Sequence, residues 1–439
     1  MDKAKLGKFD VAIIGAGPAG STAALALSKM GFKVVIFERG EEPGQKNVFG
    51  GILHYNEVLE KVIPGFWDEA PVERYVTSYT TKVLTDNSAL SFSFEENSFA
   101  QRPYNGVTLL GAKFDKWYAQ KAKEAGAFLV PETTVDDLLW DGDKVIGVKT
   151  GRSEGVVYAD IVIIADGANS LMVKKAGFRR EFFPVDFAVA AKEVLALPSE
   201  IMKERFGLVG NEGAAYLFVG PFTSGVQGGA FLYTNKSSLS IGITANLRGL
   251  QQKGVSIADL LGNFKANPFV KRLIKDTELK EYAGHLIPEG GINKMPQLYG
   301  NGALLVGDAA GFLCSTGLTL EGMNFAVESG FIAAEAVKLA KINKDFSKKQ
   351  LSFYQKLLEK SFVLKEMKTF RHCPNFLDNS RLYEIYPSIL CGAAKKFYGV
   401  EGKPRKKILN ILRAEIKGKV SLWELFRDMI QAGRALMWR

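Results

Sequence analysis

Cysteine is nearly absent from this chain: Cys314, Cys373 and Cys391 are the only three in 439 residues, and no two stand in C-x-x-C spacing. That scarcity argues against a disulfide framework, leaves no thiol set for a zinc or iron–sulfur site within the chain, and fits a reducing compartment. Histidine is as sparse, with His54, His285 and His372 scattered and each read as structural rather than catalytic. A long uninterrupted apolar run is missing too. The first ten residues, MDKAKLGKFD, mix both charges and hold no hydrophobic stretch of the kind a signal peptide needs. Residues 11–28 are uncharged but contain Gly15, Gly17, Pro18 and Gly20, which argue against a membrane span. Neither sign of charge is scarce. Lys and Arg number 57 against 47 Asp and Glu, a net of +10, which suits nucleic acid, an anionic membrane face or an acidic protein partner without choosing among them. The length allows two or three domains.

What is present begins at Asp10. DVAIIGAGPAG reads as a short strand, a turn carrying Gly15-x-Gly17-x-x-Gly20, and a helix of small residues from Ser21 to Lys29; the next strand, KVVIFERG, ends in Glu38. In that order these parts make a dinucleotide fingerprint. The glycines permit the turn and a close approach to pyrophosphate, and the helix start, with Pro18 and Ala19, offers unpaired N–H groups and a positive dipole end. Glu38, with Arg39 beside it, is expected to hold a ribose hydroxyl pair.

Two later strands end the same way. YADIVIIADGANS (158–170) runs into Asp166-Gly167, and LLVGDAAG (304–311) runs into Gly307-Asp308. An unpaired carboxylate at a buried strand end is costly unless it faces a ligand. NAD needs only the first strand end, whereas FAD, with its ribityl chain and ring, uses all three. Asp308 is therefore expected to grip the ribityl or pyrophosphate part of FAD; a turn aspartate capping the following helix is the competing reading.

The set GAGPAG, FERG, DGANS and GDAAG resembles the FAD-dependent hydroxylase and reductase superfamily over roughly the first 340 residues. Longer stretches narrow the likeness: KNVFGGILHYNEVLEKVIPGFWDEAPVER (46–74), GGAFLYTNKSSLSIGI (228–243), HLIPEGGINKMPQLYGNGALLVGDAAG (285–311) and GLTLEGMNFAVESG (317–330). These resemble the electron-transfer-flavoprotein:quinone oxidoreductase family, in particular its FixC-type branch, found as a subunit of electron-bifurcating flavoprotein complexes. The resemblance implies FAD contacts at Gly51, Gly317, Gly322, Met323 and Asn324, and at Lys113, where relatives often carry arginine. It implies a quinone-binding glycine pair at Gly228 and Gly229. Residues 213–235 are uncharged and hold five glycines, which an ordinary hairpin with glycine bulges would also explain. His54 and Tyr55 are candidates for a proton path to a quinone oxygen.

The family's single-chain members carry a [4Fe-4S] cluster, for which four thiolates are needed, and only Cys373 and Cys391 lie in the last hundred residues here. The resemblance therefore implies FAD as cofactor with no metal or iron–sulfur cluster in this chain, and a separate small ferredoxin-like [4Fe-4S] subunit as partner. The α and β subunits of an electron-transferring flavoprotein, a menaquinone or ubiquinone, and a membrane surface are the further partners implied; no nucleic acid is expected. The expected place is the cytoplasmic face of the membrane, peripheral and without a transmembrane helix. Two rivals stand beside this reading: a geranylgeranyl-type lipid reductase, whose aromatic substrate motif YLFVGP (216–221) only poorly approaches, and a membrane-docking scaffold with structural FAD.

The expected fold is α/β: a glutathione-reductase-type, Rossmann-like FAD domain from residues 1–78, 100–175 and 284–345, an antiparallel substrate sheet from 79–99 and 176–283, and a helical region over 346–439. GAKFDKWYAQKAKEAGA (111–127) reads as a crossover helix. Residues 51–72 present Ile52, Leu53, Val58, Leu59, Val62, Ile63, Phe66 and Trp67 as an apolar side, for one bilayer leaflet or for core packing. SLWELFRDMIQAGRALMW (421–438) forms a second such side with Leu422, Trp423, Phe426, Met429 and Ile430, suited to an anionic membrane or a partner's groove.

Overall fold

The computed structural model describes residues 8–45, 50–153, 155–179, 181, 183–400, 402 and 404–438. The leading residues 1–7, and the 46–49 portion of the KNVFGG stretch, lie outside the described residues. Phe9–Ile14 is the centre of a parallel sheet, hydrogen-bonded to Val34–Phe37 on one side and to the end of Val156–Ile164 on the other. Its Val11, Ala12 and Ile13 are fully buried, as a strand covered on both faces must be. Ala303–Leu305 and Phe128–Val130 extend the sheet in parallel beyond these neighbours. Because all five strands run the same way, their C-terminal ends open on one edge, where ligands of such sheets bind.

Pro18–Lys29 packs close to Met323–Ile342 because Gly330 stands against it; a Cβ there would lie 2.3 Å from the Ala19 carbonyl oxygen. Gly111–Glu124 is indeed a helix, joined to Pro18–Lys29 by a 2.7 Å hydrogen bond between Tyr118 Oη and Thr22 Oγ1.

Among the described residues the second sheet has nine strands. Its order is Glu278–Pro288, Phe187–Ala196, Ser238–Asn246, Gly228–Thr234, Glu212–Val219, Val72–Leu84, Gly106–Leu110 and Gly50–His54, with Ala89–Glu95 paired to Val72–Leu84. The neighbours are antiparallel except Glu212–Val219 and Val72–Leu84, which run parallel. Residues 78 and 79, on either side of the expected division, are consecutive in one strand. One face of this sheet carries Ala191, Leu195, Leu232, Ile241 and Ile243 into a core with Phe264. The other face roofs a cavity.

The 51–72 segment is packed inward. Leu53, Leu59, Val62, Phe66 and Trp67 are buried in the main core, so its apolar side belongs to the protein interior. The C-terminal region is helical from Lys348–Lys360 to Leu422–Leu436, and its last helix starts at a capping box of Ser421 and Glu424. That helix is held by Asp428, which accepts from Arg381 at 2.6 and 2.7 Å and from Tyr386 at 2.6 Å. Outward it presents Leu422 (80% exposed), Trp423 (71%), Phe426 (54%) and Met429 (63%). Among the described residues no helix is long and apolar enough to cross a membrane.

Candidate functional site

A cavity of about 440 Å³ runs from the edge of the parallel sheet to the face of the nine-stranded sheet. At its first end Gly15 takes φ +102°, and Gly20 lies against Gly15. Gly17 is different: nothing lies within 4 Å of the place its Cβ would take, so the missing side chain leaves room for a ligand rather than for the protein. Pro18 opens the helix, and no side chain caps it, leaving its first N–H groups free for an anion. Glu38 is buried and fixed by Gly40 N (2.8 Å) and Ala16 N (3.2 Å) donating to its two carboxylate oxygens. Arg39 also lines this end.

Next to Glu38 the structure adds a residue the sequence reading missed. Asp115 lines the cavity fully buried, with one carboxylate oxygen unpartnered, and burial together with Glu38 pushes its carboxyl well above the usual range. A signal was there: the buried stripe Gly111, Phe114, Asp115, Tyr118, Ala119, Ala122 is apolar or aromatic but for one acid.

Farther along, Asp166 also has an unpartnered buried oxygen, and burial raises its carboxyl to about 6 against the opposing pull of Ser170, backbone N–H groups and Arg39. Gly167 (φ +77°) and Gly51 line the cavity with open space where a Cβ would be. Asp308 lines it too, its Oδ2 3.7 Å from His285 Nε2. Gly307, at φ +59°, is pressed against Ala19, where an added Cβ would stand 2.9 Å from the Ala19 Cβ. Gly322 and Met323 form the uncapped start of Met323–Ile342 at the cavity wall. Asn324 is buried behind them, its amide donating to Glu321 at 2.8 Å, and Gly317 (φ +81°) lies against Leu377; neither lines the cavity. Lys113 is also outside it, mostly exposed, with Nζ 3.6 Å from Glu73.

These residues fit FAD. Glycines open onto the cavity at three places, two uncapped helix starts stand on its wall, and Asp115 and Asp166 turn buried, unpartnered carboxylate oxygens there. Bound there, FAD would supply the redox chemistry, while Glu38, Asp166 and Asp308 would hold its polar parts.

Beyond these residues the face of the nine-stranded sheet forms the rest of the cavity wall. Cross-strand pairing aligns Gly229, Thr244, Ala190 and His285 in one row and Thr81, Leu217, Phe231, Gly242, Lys192 and Ala283 in the next. Gly229 thus shares the cavity side of its strand with Phe231 and Tyr233, and Gly228 points away, though neither glycine touches the cavity itself. His54 lines the cavity, and burial lowers its pKa against the pull of Glu321, which favours neutral imidazole. Tyr55 faces outward, 39% exposed. Lys192 was not foreseen as a site residue.

Fold and site together define an FAD-dependent oxidoreductase. Residues 8–225 match the FAD binding domain family, and residues 373–437 match the ETF-QO/FixC family C-terminal domain. The probable electron transfer flavoprotein-quinone oxidoreductase YdiS of Escherichia coli (strain K12) is 39% identical over 429 residues, covering 98% of this chain and 99% of that protein. Protein FixC of Azotobacter vinelandii is 41% identical over 431 residues, again 98% and 99%. The chain belongs to the electron-transfer-flavoprotein:quinone oxidoreductase/FixC family, and works as a flavoprotein of electron transport. Among solved structures, a geranylgeranyl bacteriochlorophyll reductase-like protein from Thermoplasma acidophilum has a TM-score of 0.71 at 20% identity, over 97% of this chain and 99% of that one. The flavin-dependent brominase Bmp2 gives 0.59 at 14%, over 98% and 94%. At such identities these likenesses concern the fold alone.

Proposed function

We propose that this protein accepts electrons from a reduced electron-transferring flavoprotein onto FAD and passes them to a membrane quinone. The observation that carries this reading is the continuity of one cavity from the dinucleotide turn to a mostly apolar sheet face, where a flat ring can lie beside the flavin site. The name of the YdiS relative, a probable electron transfer flavoprotein-quinone oxidoreductase, supports the same pairing of donor and acceptor. The roles of the FAD-contacting residues that line the cavity, and of His54 in a proton path, belong to this proposal; Gly228, Gly229 and Tyr55 lie outside the cavity lining, and a quinone contact at the glycine pair would need the ring to reach past the Phe231 row. So does the division into an FAD domain, a substrate sheet and a helical C-terminal region.

Cys373 and Cys391 are both buried, one donating to the Ala435 carbonyl and the other to that of Val83. This supports a separate ferredoxin-like subunit as the carrier of any [4Fe-4S] cluster, with this chain as the FixC-type member of an electron-bifurcating complex. The exposed apolar side of Leu422–Leu436 supports peripheral contact with the cytoplasmic face of a membrane. The test is turnover: flavin-loaded protein, reduced electron-transferring flavoprotein and a short-chain quinone in detergent should form quinol. Absence of quinol from fully flavin-loaded protein, with reduction of an unsaturated isoprenoid lipid instead, would replace this reading by the lipid reductase one.

A further inference from the structure

The strand Phe187–Ala196 carries a charge on each face at its middle, and the two are treated in opposite ways. On the core side Glu193, 8% exposed, accepts from Lys265 Nζ at 2.6 Å. On the cavity side Lys192, whose side chain is 6% exposed, has no hydrogen-bond partner for its Nζ among the described residues. Its nearest acid is Glu281, with Oε1 at 3.8 Å, too long for a hydrogen bond, and that oxygen is also buried and unpartnered. A buried ammonium left in this state is costly unless something else binds it. Lys192 lines the cavity, so a ligand atom can reach it.

The surroundings specify the ligand's shape. Lys192 pairs across the sheet with Gly242, and Gly242 pairs with Phe231. A Cβ on Gly242 would lie 2.4 Å from Phe231 Cζ, so glycine here lets the Phe231 ring lie across the neighbouring strand toward Lys192. A flat aromatic surface beside one ammonium suits a planar ring that bears an oxygen. Along its own strand Lys192 is two residues from Ala190, roughly 7 Å, and the cross-strand partner of Ala190 is His285, beside Asp308 at the flavin site. One quinone head group spans that step.

We propose that Lys192 binds a carbonyl oxygen of the quinone head group and protonates it during reduction, with Glu281 as its route back to solvent; this rests on the quinone reading above. The reduced flavin gives the quinone a hydride equivalent, two electrons and one proton. The oxygen facing Lys192 takes the second proton as one N–H bond of the ammonium breaks and an O–H bond forms. The quinol leaves, and the neutral amine regains a proton from water through Glu281, which is 37% exposed. The other titratable groups on this side are His285 on the same strand as Glu281, and Tyr233, Tyr79 and His54 on strands farther across the sheet, the His54 imidazole lowered by burial against the pull of Glu321. Burial raises both tyrosines above their usual value, while it lowers Lys192 to about 8 against the opposing effect of Glu281. With its Nζ buried, without a hydrogen-bond partner among the described residues and on the cavity wall, Lys192 is the donor that the geometry sets against a ring oxygen.

The test uses full-length, flavin-loaded Lys192→Met and Lys192→Gln. Each is reduced anaerobically and reoxidised by a short-chain quinone analogue or by ferricenium, a one-electron acceptor that takes no proton. Lys192→Met should slow reoxidation by quinone ~100-fold or more, while ferricenium acts as on the wild type. Lys192→Gln, which still donates a hydrogen bond but has no proton to give, should keep quinone affinity and lose rate, and the ionisation near 8 should vanish from its pH profile. Reoxidation by quinone at the wild-type rate in both variants overturns the assignment. A wild-type flavin that quinone does not reoxidise at all overturns the quinone reading, and this inference with it.

Discussion

Gly20 and Gly15 stand in direct backbone contact: a Cβ on Gly20 would lie 2.0 Å from the Gly15 carbonyl oxygen, whereas a Cβ on Gly17 would meet nothing within 4 Å. Two alanine variants of one motif should therefore fail differently. Gly20→Ala overpacks backbone against backbone, at a cost of roughly 1–3 kcal/mol or more, and should lower the unfolding temperature of the apoprotein. Gly17→Ala should leave apoprotein unfolding unchanged and weaken FAD binding about tenfold or more, or ~1.4 kcal/mol, read by flavin fluorescence titration. Equal unfolding temperatures for the two variants would contradict this division of labour.

Asp308 faces the cavity with His285 Nε2 at 3.7 Å. Asp308→Ala should yield soluble, folded protein that purifies with little flavin, its absorbance near the protein band intact and its flavin bands lost. Full flavin occupancy in that variant would remove Asp308 from the cofactor site.

Glu289 gives a pH signature away from the flavin. It is half-buried beside a second small cavity, its Oε2 is buried and unpartnered, and burial raises its carboxyl to about 7. A group whose folded pKa lies above its unfolded value contributes stability at low pH and loses it as pH rises through the folded value. Glu289→Gln escapes that loss. Its unfolding temperature should exceed that of the wild type at about pH 8.5, and the gap should shrink by about pH 5. A gap independent of pH would contradict the buried, uncompensated carboxylate.

Leu422 and Trp423 are largely exposed, so charge placed there should not touch the fold. Leu422→Asp with Trp423→Asp is expected to leave the unfolding temperature unchanged and to reduce co-sedimentation with anionic vesicles, since binding scales with buried apolar area. Undiminished sedimentation would take the last helix out of any membrane contact.

The parallel sheet was legible because its strands are short apolar runs that end in Gly and an acid, a pattern that periodicity and motif spacing both register. Glu38, Asp166 and Asp308 follow from it and all line one cavity. The 51–72 segment was open in the sequence because a helix face meant for lipid and one meant for a core have the same period; only tertiary packing places Phe66 and Trp67 inside. Lys113 and Asp115 sit two residues apart on one helix, and the helical turn leaves the first mostly exposed beside the buried Glu73 and sends the second to the cavity. Lys192 was hidden for a related reason. In FAVAAKEVLA a lysine beside a glutamate suggests an internal pair, and strand alternation instead sends them to opposite faces.

On the proposed function, quinone oxidises the flavin held in this cavity. Stopped-flow absorbance of the anaerobically reduced wild-type protein, mixed with a menaquinone or ubiquinone analogue in detergent, tests it directly. The account predicts rapid return of the oxidised flavin bands, at a rate that rises with quinone concentration and then saturates as the cavity fills. A flavin that stays reduced with every quinone, and reoxidises only with an unsaturated isoprenoid lipid, would contradict it.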